Sequence, residues 1–224
     1  MEMINGCGNN YSTIAAFAAN VLKHDTTGHD FSHIKRVVQN AGRILETEPM
    51  ADQFIVLAAT YLHDTYDDKL FADPAAAKAK VIKFLTSINV APADQQAIFT
   101  IIDNMSWSKS LTGTAKPLDI NGQIVQDADR LDAIGAIAIA RVFVYGGHTG
   151  SKMYDPTIAP RTSMTKEAYR NQDESTMINH FYEKLLLLVD HLNTAYAKQI
   201  GQQRQEIMLN YLRDFKREWD GLDL

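Results

Sequence analysis

The residues best equipped for chemistry lie in LHDTYDDKLF, 62–71, where His63 and Asp64 stand side by side and Asp67 and Asp68 follow within one helical turn. The run before them, Phe54 to Leu62, is apolar almost all round, as in a helix buried in a core. Three aspartates at the end of such a helix face its partial negative charge and repel one another. A bound cation removes both problems. If the helix continues, Asp67 stacks over His63 and Asp68 over Asp64, because residues four apart share a face. That layout would set a pair of acids on a pair of metal ligands.

Two further segments offer ligands of the right type for a hard or borderline divalent cation. His33 falls in the first turn of a helix opened by Asp30, with Arg36 one turn along and Ile34, Val37, Val38, Ala41 and Leu45 at helical spacing. Asp127, Asp129 and Asp132 occur in QDADRLDAIGAI, within a helix expected over 121–145. Each piece has an ordinary use of its own. A first-turn histidine can cap or face water, and an aspartate near a helix start can answer the dipole, a role that suits Asp127 better than Asp129. His-Asp pairs also occur at 24–25 and 29–30. Taken together, acids beside core residues in three segments call for a shared partner.

The elements that must position these groups are helical. Expected helices run from Asn10 to Lys23, from Asp30 to Leu45, up to His63–Asp64, from Pro74 to Ile88 and from Pro92 to Met105. The 106–119 segment reads as a loop, then comes the helix over 121–145. Long helical patterns follow over 165–198 and 202–219, separated at Gly201. Residues 1–9 read as a frayed terminus. Residues 146–164, longer than a connector requires, read as a lid or substrate loop. No strand alternation, repeat or low-complexity tract interrupts the pattern, so the expected fold is all-α and single-domain over 1–224, with the site between core helices.

The chain has 224 residues, 46% hydrophobic and 22% charged, the balance of a globular domain with a real core. Its net charge of −5 argues against broad binding to nucleic acid or an anionic membrane surface. The single cysteine, Cys7, excludes an internal disulfide framework and a cysteine-rich zinc site, which suits a reducing, cytoplasmic setting. No signal peptide is evident, and the apolar stretch from Leu131 to Tyr145 carries Asp132 and Arg141. The pattern specifies no oligomeric state.

HDFSHIKRV at 29–37, LHDTYDD at 62–68 and DADRLDAIGA at 127–136 resemble the successive motifs of the HD-domain metal-dependent phosphohydrolases, in order across about half of the chain. The resemblance implies one divalent metal held by His33, His63, Asp64 and Asp129, with His29 present in the first motif but not a ligand. HDTYDD is also similar to the His-Asp-x-x-Glu-Asp segment of the guanosine-tetraphosphate hydrolase branch, where the acidic pair positions or activates water. Carried over, that pair is Asp67 and Asp68, with aspartate in place of glutamate at 67. Two-metal members add histidines between the His-Asp pair and the last aspartate, whereas this chain has none between His63 and His148. A mononuclear site follows, with manganese favoured and magnesium, iron, cobalt, nickel or zinc compatible.

The implied chemistry is water attack on phosphorus. Asp67 or Asp68 would take or steer the proton, and nearby cations would meet the charge that develops. Arg36, Lys69 and Arg130 stand beside the motifs and are the substrate-binding candidates, although Arg130 points about 100° away from the neighbouring ligand Asp129. His148 in GGHTG offers a general acid or substrate contact but reads more readily as a solvated loop histidine; Tyr154 reads equally well as part of a turn, and His180 and His191 are given no function. The resemblance to bacterial nucleotide-directed members favours a nucleoside triphosphate cleaved to monophosphate and pyrophosphate. Monophosphate dephosphorylation and guanosine tetraphosphate hydrolysis are alternatives. Another class of reading is a metal-stabilised nucleotide-binding module without turnover, and the presence of Asp67 and Asp68 favours the enzyme.

Overall fold

A computed structural model describes residues 7–23, 30–68, 70–161 and 175–222. Among them the chain is all-α, with no strand. The first half comprises α1 (Cys7–Leu22), α2 (Phe31–Leu45), α3 (Gln53–Leu62), α4 (Pro74–Ser87), α5 (Pro92–Ile102) and α6 (Trp107–Thr112). Then come α7 (Ile120–Asp132), α8 (Ala136–Thr149), α9 (Met177–Glu183), a 3-10 segment (Leu185–His191) and α10 (Ala195–Trp219). No single described helix is long and apolar enough to cross a membrane.

Aspartates start four of these helices. Asp30, Asp52, Asp73 and Asp119 each accept hydrogen bonds from first-turn backbone N–H groups, which have no partner within the helix. Asp30 takes Ser32 N and His33 N at 3.1 Å each, so the cap that opens α2 also fixes the backbone of a site residue. The inward stripe of α2 is His33, Ile34, Val37, Ala41 and Ile44. His33 lies inside because it shares the face of that apolar row.

The centre of the fold is α3, apolar on nearly all sides, packed against α1, α2, α5 and α7. Helix α2 packs in turn on α7, and the three central helices converge at the end where α3 stops. The core they close includes Val37, Val56, Leu62, Ile98, Ile124 and Leu131, each at most 1% exposed.

Several boundaries differ from the sequence expectation. Helix α1 begins at Cys7, so residues 7–9 are helical, while 1–6 lie outside the described residues. Helix α3 stops at Leu62, because Thr65 turns back to bond the Leu62 carbonyl through both N (3.0 Å) and Oγ1 (2.6 Å). The expected stack of Asp67 on His63 along a continuous helix therefore does not form. The 106–119 loop contains the short helix α6.

The single helix expected over 121–145 is two helices, α7 and α8, bent by 70° at Gly135. Gly135 has φ +92°, a left-handed conformation open to glycine, and a Cβ there would sit 3.1 Å from the Arg204 side chain. Helix α8 runs on to Thr149, so the 146–164 segment begins as helix and leaves it at Gly150; 162–164 lie outside the described residues. Gly201 does not break the last helix but sits inside α10. A side chain at that position would collide with Leu192 Cδ1, so glycine here serves close packing.

Candidate metal centre

Four side chains from three helices meet where α3 ends. His33 from α2, His63 and Asp64 from the end of α3 and Asp129 from α7 place their ligand atoms close together. His33 Nε2 lies 3.3 Å from His63 Nε2, 3.5 Å from Asp64 Oδ2 and 3.6 Å from Asp129 Oδ1. His63 Nε2 lies 3.4 Å from Asp64 Oδ1 and 3.7 Å from Asp129 Oδ1. Atoms held about 2.1 Å from one ion lie about 3.0–3.4 Å apart, so the cluster is slightly wider than a closed coordination shell. His33, His63 and Asp64 are buried at 1%, 7% and 4% exposure, whereas Asp129 keeps a partly open face.

The other ring nitrogens explain why this cluster suits a cation. His63 Nδ1 donates to the Thr60 carbonyl at 2.8 Å, and His33 Nδ1 donates to Asp132 Oδ2 at 2.6 Å. Both imidazoles therefore turn an Nε2 lone pair toward the centre. Two lone pairs 3.3 Å apart, flanked by carboxylate oxygens, repel one another unless positive charge lies between them. Burial pushes the His63 imidazole down, but Asp64, Asp129, the Thr60 carbonyl and Asp67 outweigh it and hold the group above its ordinary value. The donor set of two imidazoles and two carboxylates matches a divalent metal.

Asp132 is the support that the sequence reading left without a role. Its Oδ1 accepts Arg36 Nε at 2.7 Å, and its Oδ2 accepts His33 Nδ1, Arg36 Nη2 (3.1 Å) and Arg141 Nη1 (3.1 Å). Burial pushes its carboxyl up, yet the bonds from His33 and Arg36 and their charges prevail and hold it well below the usual carboxylate range. One turn separates Asp132 from Asp129, so the two share the inner face of α7. That spacing was the available signal.

The centre opens into a cavity of about 520 Å³. His63, Asp64 and Asp129 line it, and so do Asp67 and Asp68, brought there by the turn after α3. The acid pair thus shares a cavity with the candidate ligands without the helical stacking expected of it. Arg141, Arg161 and Lys184 also line the cavity, with Trp107, Tyr145 and His180 among the other walls. Arg161 and Ser175 are tied to Glu183: Arg161 Nε donates to Oε1 at 3.0 Å, and Arg161 Nη2 and Ser175 Oγ donate to Oε2 at 2.7 and 3.0 Å. Of the 146–164 segment, Gly146, Ser151 and Arg161 reach the cavity.

The three cations expected to bind substrate are placed differently. Arg36 is committed to Asp132 through two bonds, and the hydrogen bond to that carboxylate raises its pKa further. Arg130 turns to the His191 carbonyl and the face of Trp107, and burial lowers its pKa. Neither lines the cavity. Lys69 lies outside the described residues, as does His29.

Asp127 is fully buried and accepts Asn193 N (2.8 Å), Asn193 Nδ2 (2.8 Å), Thr194 N (2.7 Å) and Thr194 Oγ1 (2.8 Å). It holds the start of α10, and is neither a ligand nor a first-turn acid. His148 is exposed at the end of α8, and the His191 ring meets Trp107 edge-on. His180, given no function in the sequence, is a cavity wall.

Comparison with known proteins agrees with this geometry. The family model of the HD domain matches residues 30–134, a span that contains all four candidate ligands. Bacillus subtilis YpgQ is 34% identical over 210 residues, 94% of each chain. A solved structure of YpgQ in complex with ADP superposes with a TM-score of 0.77 at 33% identity, covering 98% of this chain and 100% of that one. A Lactobacillus plantarum structure reaches a TM-score of 0.86 at 46% identity, covering 95% and 98%. A Bacillus thuringiensis HD-superfamily hydrolase gives 0.72 at 36% identity, covering 96% and 98%.

Proposed function

Because the chain belongs to the HD-domain superfamily, we propose that it is a metal-dependent phosphohydrolase acting on nucleotides, with nucleoside triphosphates cleaved to monophosphate and pyrophosphate as the favoured reaction. The observation that carries this reading is the cluster of His33, His63, Asp64 and Asp129 opening into a cavity that also presents Asp67 and Asp68. The ADP bound to YpgQ supports a nucleotide as the ligand class.

A divalent ion held by the four ligands would polarise a phosphoryl oxygen and acidify water, and manganese suits two imidazoles with two carboxylates. The remaining work falls to the chain. Asp67 and Asp68, both on the cavity wall, accept or steer the proton of the attacking water. The Thr60 carbonyl and Asp132 keep both imidazoles in the tautomer that offers Nε2. The partly apolar walls, among them Trp107 and Val142, exclude water from the reacting phosphate and give a base a surface to lie on.

The test is phosphate and pyrophosphate release from a panel of nucleotides, with the protein stripped of metal and then given manganese or magnesium. Metal-dependent pyrophosphate release from triphosphates is the expected result. Asp67→Ala should keep the metal and lose roughly 10²- to 10⁴-fold in turnover. Phosphate release from monophosphates alone would move the reaction to the phosphatase alternative. Stoichiometric metal with no release from any nucleotide would leave a binding module.

A further inference from the structure

Three arginines, at the centre or on its cavity, divide by how their donors are spent. Arg36 presents Nε and Nη2 to the two oxygens of Asp132, a bidentate grip that uses the fork of its guanidinium. Arg161 spends Nε, Nη2 and its backbone N–H on Glu183. Arg141 differs from both. It touches Asp132 through Nη1 alone, at 3.1 Å, and its remaining N–H groups make no hydrogen bond to any described residue. Its side chain is 23% exposed and lines the cavity that holds His63, Asp64 and Asp129.

Position adds to this. Arg141 Nη1 lies 3.4 Å from His33 Nδ1, so the guanidinium sits one imidazole width from the metal centre. Being anchored at one corner fixes where the group is while leaving its other donors to a ligand. A phosphoryl group at the metal centre carries equatorial oxygens that need donors at this range.

We infer that Arg141 is the phosphate-binding residue of the site, and that Asp132 positions it. The inference rests on the phosphohydrolase reading above and assigns to Arg141 the role that the sequence reading offered to Arg36 and Arg130. One carboxylate therefore serves His33 through Nδ1 and Arg141 through Nη1, while Arg36 grips it through Nε and Nη2. Substrate selection follows: an anion with at least one phosphoryl group beside the metal is held, while the same nucleoside without phosphate loses this contact.

The experiment measures binding of inorganic pyrophosphate and of ADP to the manganese-loaded full chain by calorimetry, in wild type, Arg141→Gln, Arg141→Lys and Arg36→Gln. A manganese isotherm without phosphate ligand is recorded for each. Arg141→Gln should weaken both phosphate ligands about 10- to 100-fold, as expected for loss of a hydrogen bond to a charged group. Its manganese affinity should stay within about threefold of wild type, well short of the loss expected when a group orienting a ligand is removed. Arg141→Lys, which keeps the charge, should recover part of the loss. Arg36→Gln, which acts on the site only through Asp132, should weaken both phosphate ligands less than Arg141→Gln does.

Unchanged pyrophosphate and ADP binding in Arg141→Gln, with wild type still hydrolysing nucleotides, would overturn this inference alone. Loss of manganese in Arg141→Gln would also overturn it, by assigning Arg141 to the support of His33. Failure of metal-loaded wild type to bind either phosphate compound would overturn the inference together with the phosphohydrolase reading.

Discussion

Two clusters of charge face one cavity, and they are built on opposite terms. Around Glu183 the charges close on themselves: a carboxylate meets a forked arginine, a serine hydroxyl and a backbone N–H. Burial pushes that carboxyl up, but Arg161 and Ser175 prevail and hold it below its ordinary value. Around His33 and His63, imidazole nitrogens and carboxylate oxygens of Asp64 and Asp129 converge within 3.3 to 3.7 Å of one another. The first arrangement is structural and already satisfied. The second has the donor set of a metal-binding arrangement, two imidazoles with two carboxylates.

The contrast predicts opposite responses to truncation. Asp64→Ala should abolish stoichiometric manganese binding and turnover, yet leave the metal-free melting temperature equal to or above that of wild type, since it removes one of the repelling carboxylates. Chelation at hundredfold saturation should cost wild type about 2.7 kcal/mol and Asp64→Ala nothing, read by thermal melts with and without metal. A lowered metal-free melting point in Asp64→Ala would break the comparison. Glu183→Ala should do the reverse. It should lose about 3 kcal/mol whether or not metal is present, because Arg161 and Ser175 lose the buried carboxylate they donate to; denaturant melts measure this.

Asp132→Asn probes the join between the two kinds of site, a satisfied carboxylate that serves an open one. Manganese affinity should fall about 10- to 100-fold, read by titration calorimetry, with the fold retained. The smallest effect belongs to His180, beside Glu183. Burial, with help from Lys184 and Arg161 and against the pull of Glu183, pushes its imidazole from 6.5 down to about 3. The folded group is therefore neutral across a window in which the unfolded chain binds a proton. Its contribution to stability is complete above pH 6.5 and fades as pH falls toward 3. His180→Gln should flatten the dependence of stability on pH within that window and leave it unchanged above pH 7, as seen in melts across a pH series.

The candidate cluster was legible because each of its members sits where a local rule puts it. Asp30 caps α2, which fixes His33 in the first turn of an apolar stripe. The all-apolar α3 ends in His63 and Asp64, and Asp129 shares a helix with buried neighbours. Asp132 and Arg141 were not legible together. On the unbroken helix expected over 121–145 they are nine residues apart, about two and a half turns, and project from opposite faces. The bend at Gly135 brings them within 3.1 Å. A lone glycine within an apolar helical run was the only local sign of that bend. Gly201 is the converse case, a glycine read as a break that instead admits Leu192 against α10.

The bonds from Asn193 and Thr194 to Asp127 set a limit on how small this molecule can be made. The span matched by the HD domain, 30–134, ends long before those donors enter the chain. Excised at its borders, that segment would keep all four candidate ligands and the whole of α7, but would carry at its centre a carboxylate stripped of its donors from Asn193 and Thr194. It would also expose the apolar flank of Leu131 and Ile134 that the later helices cover. The span of the family motif and the span that packs around it are therefore different lengths of polypeptide. The carboxy-terminal helix is the late-arriving wall without which the motif has no interior.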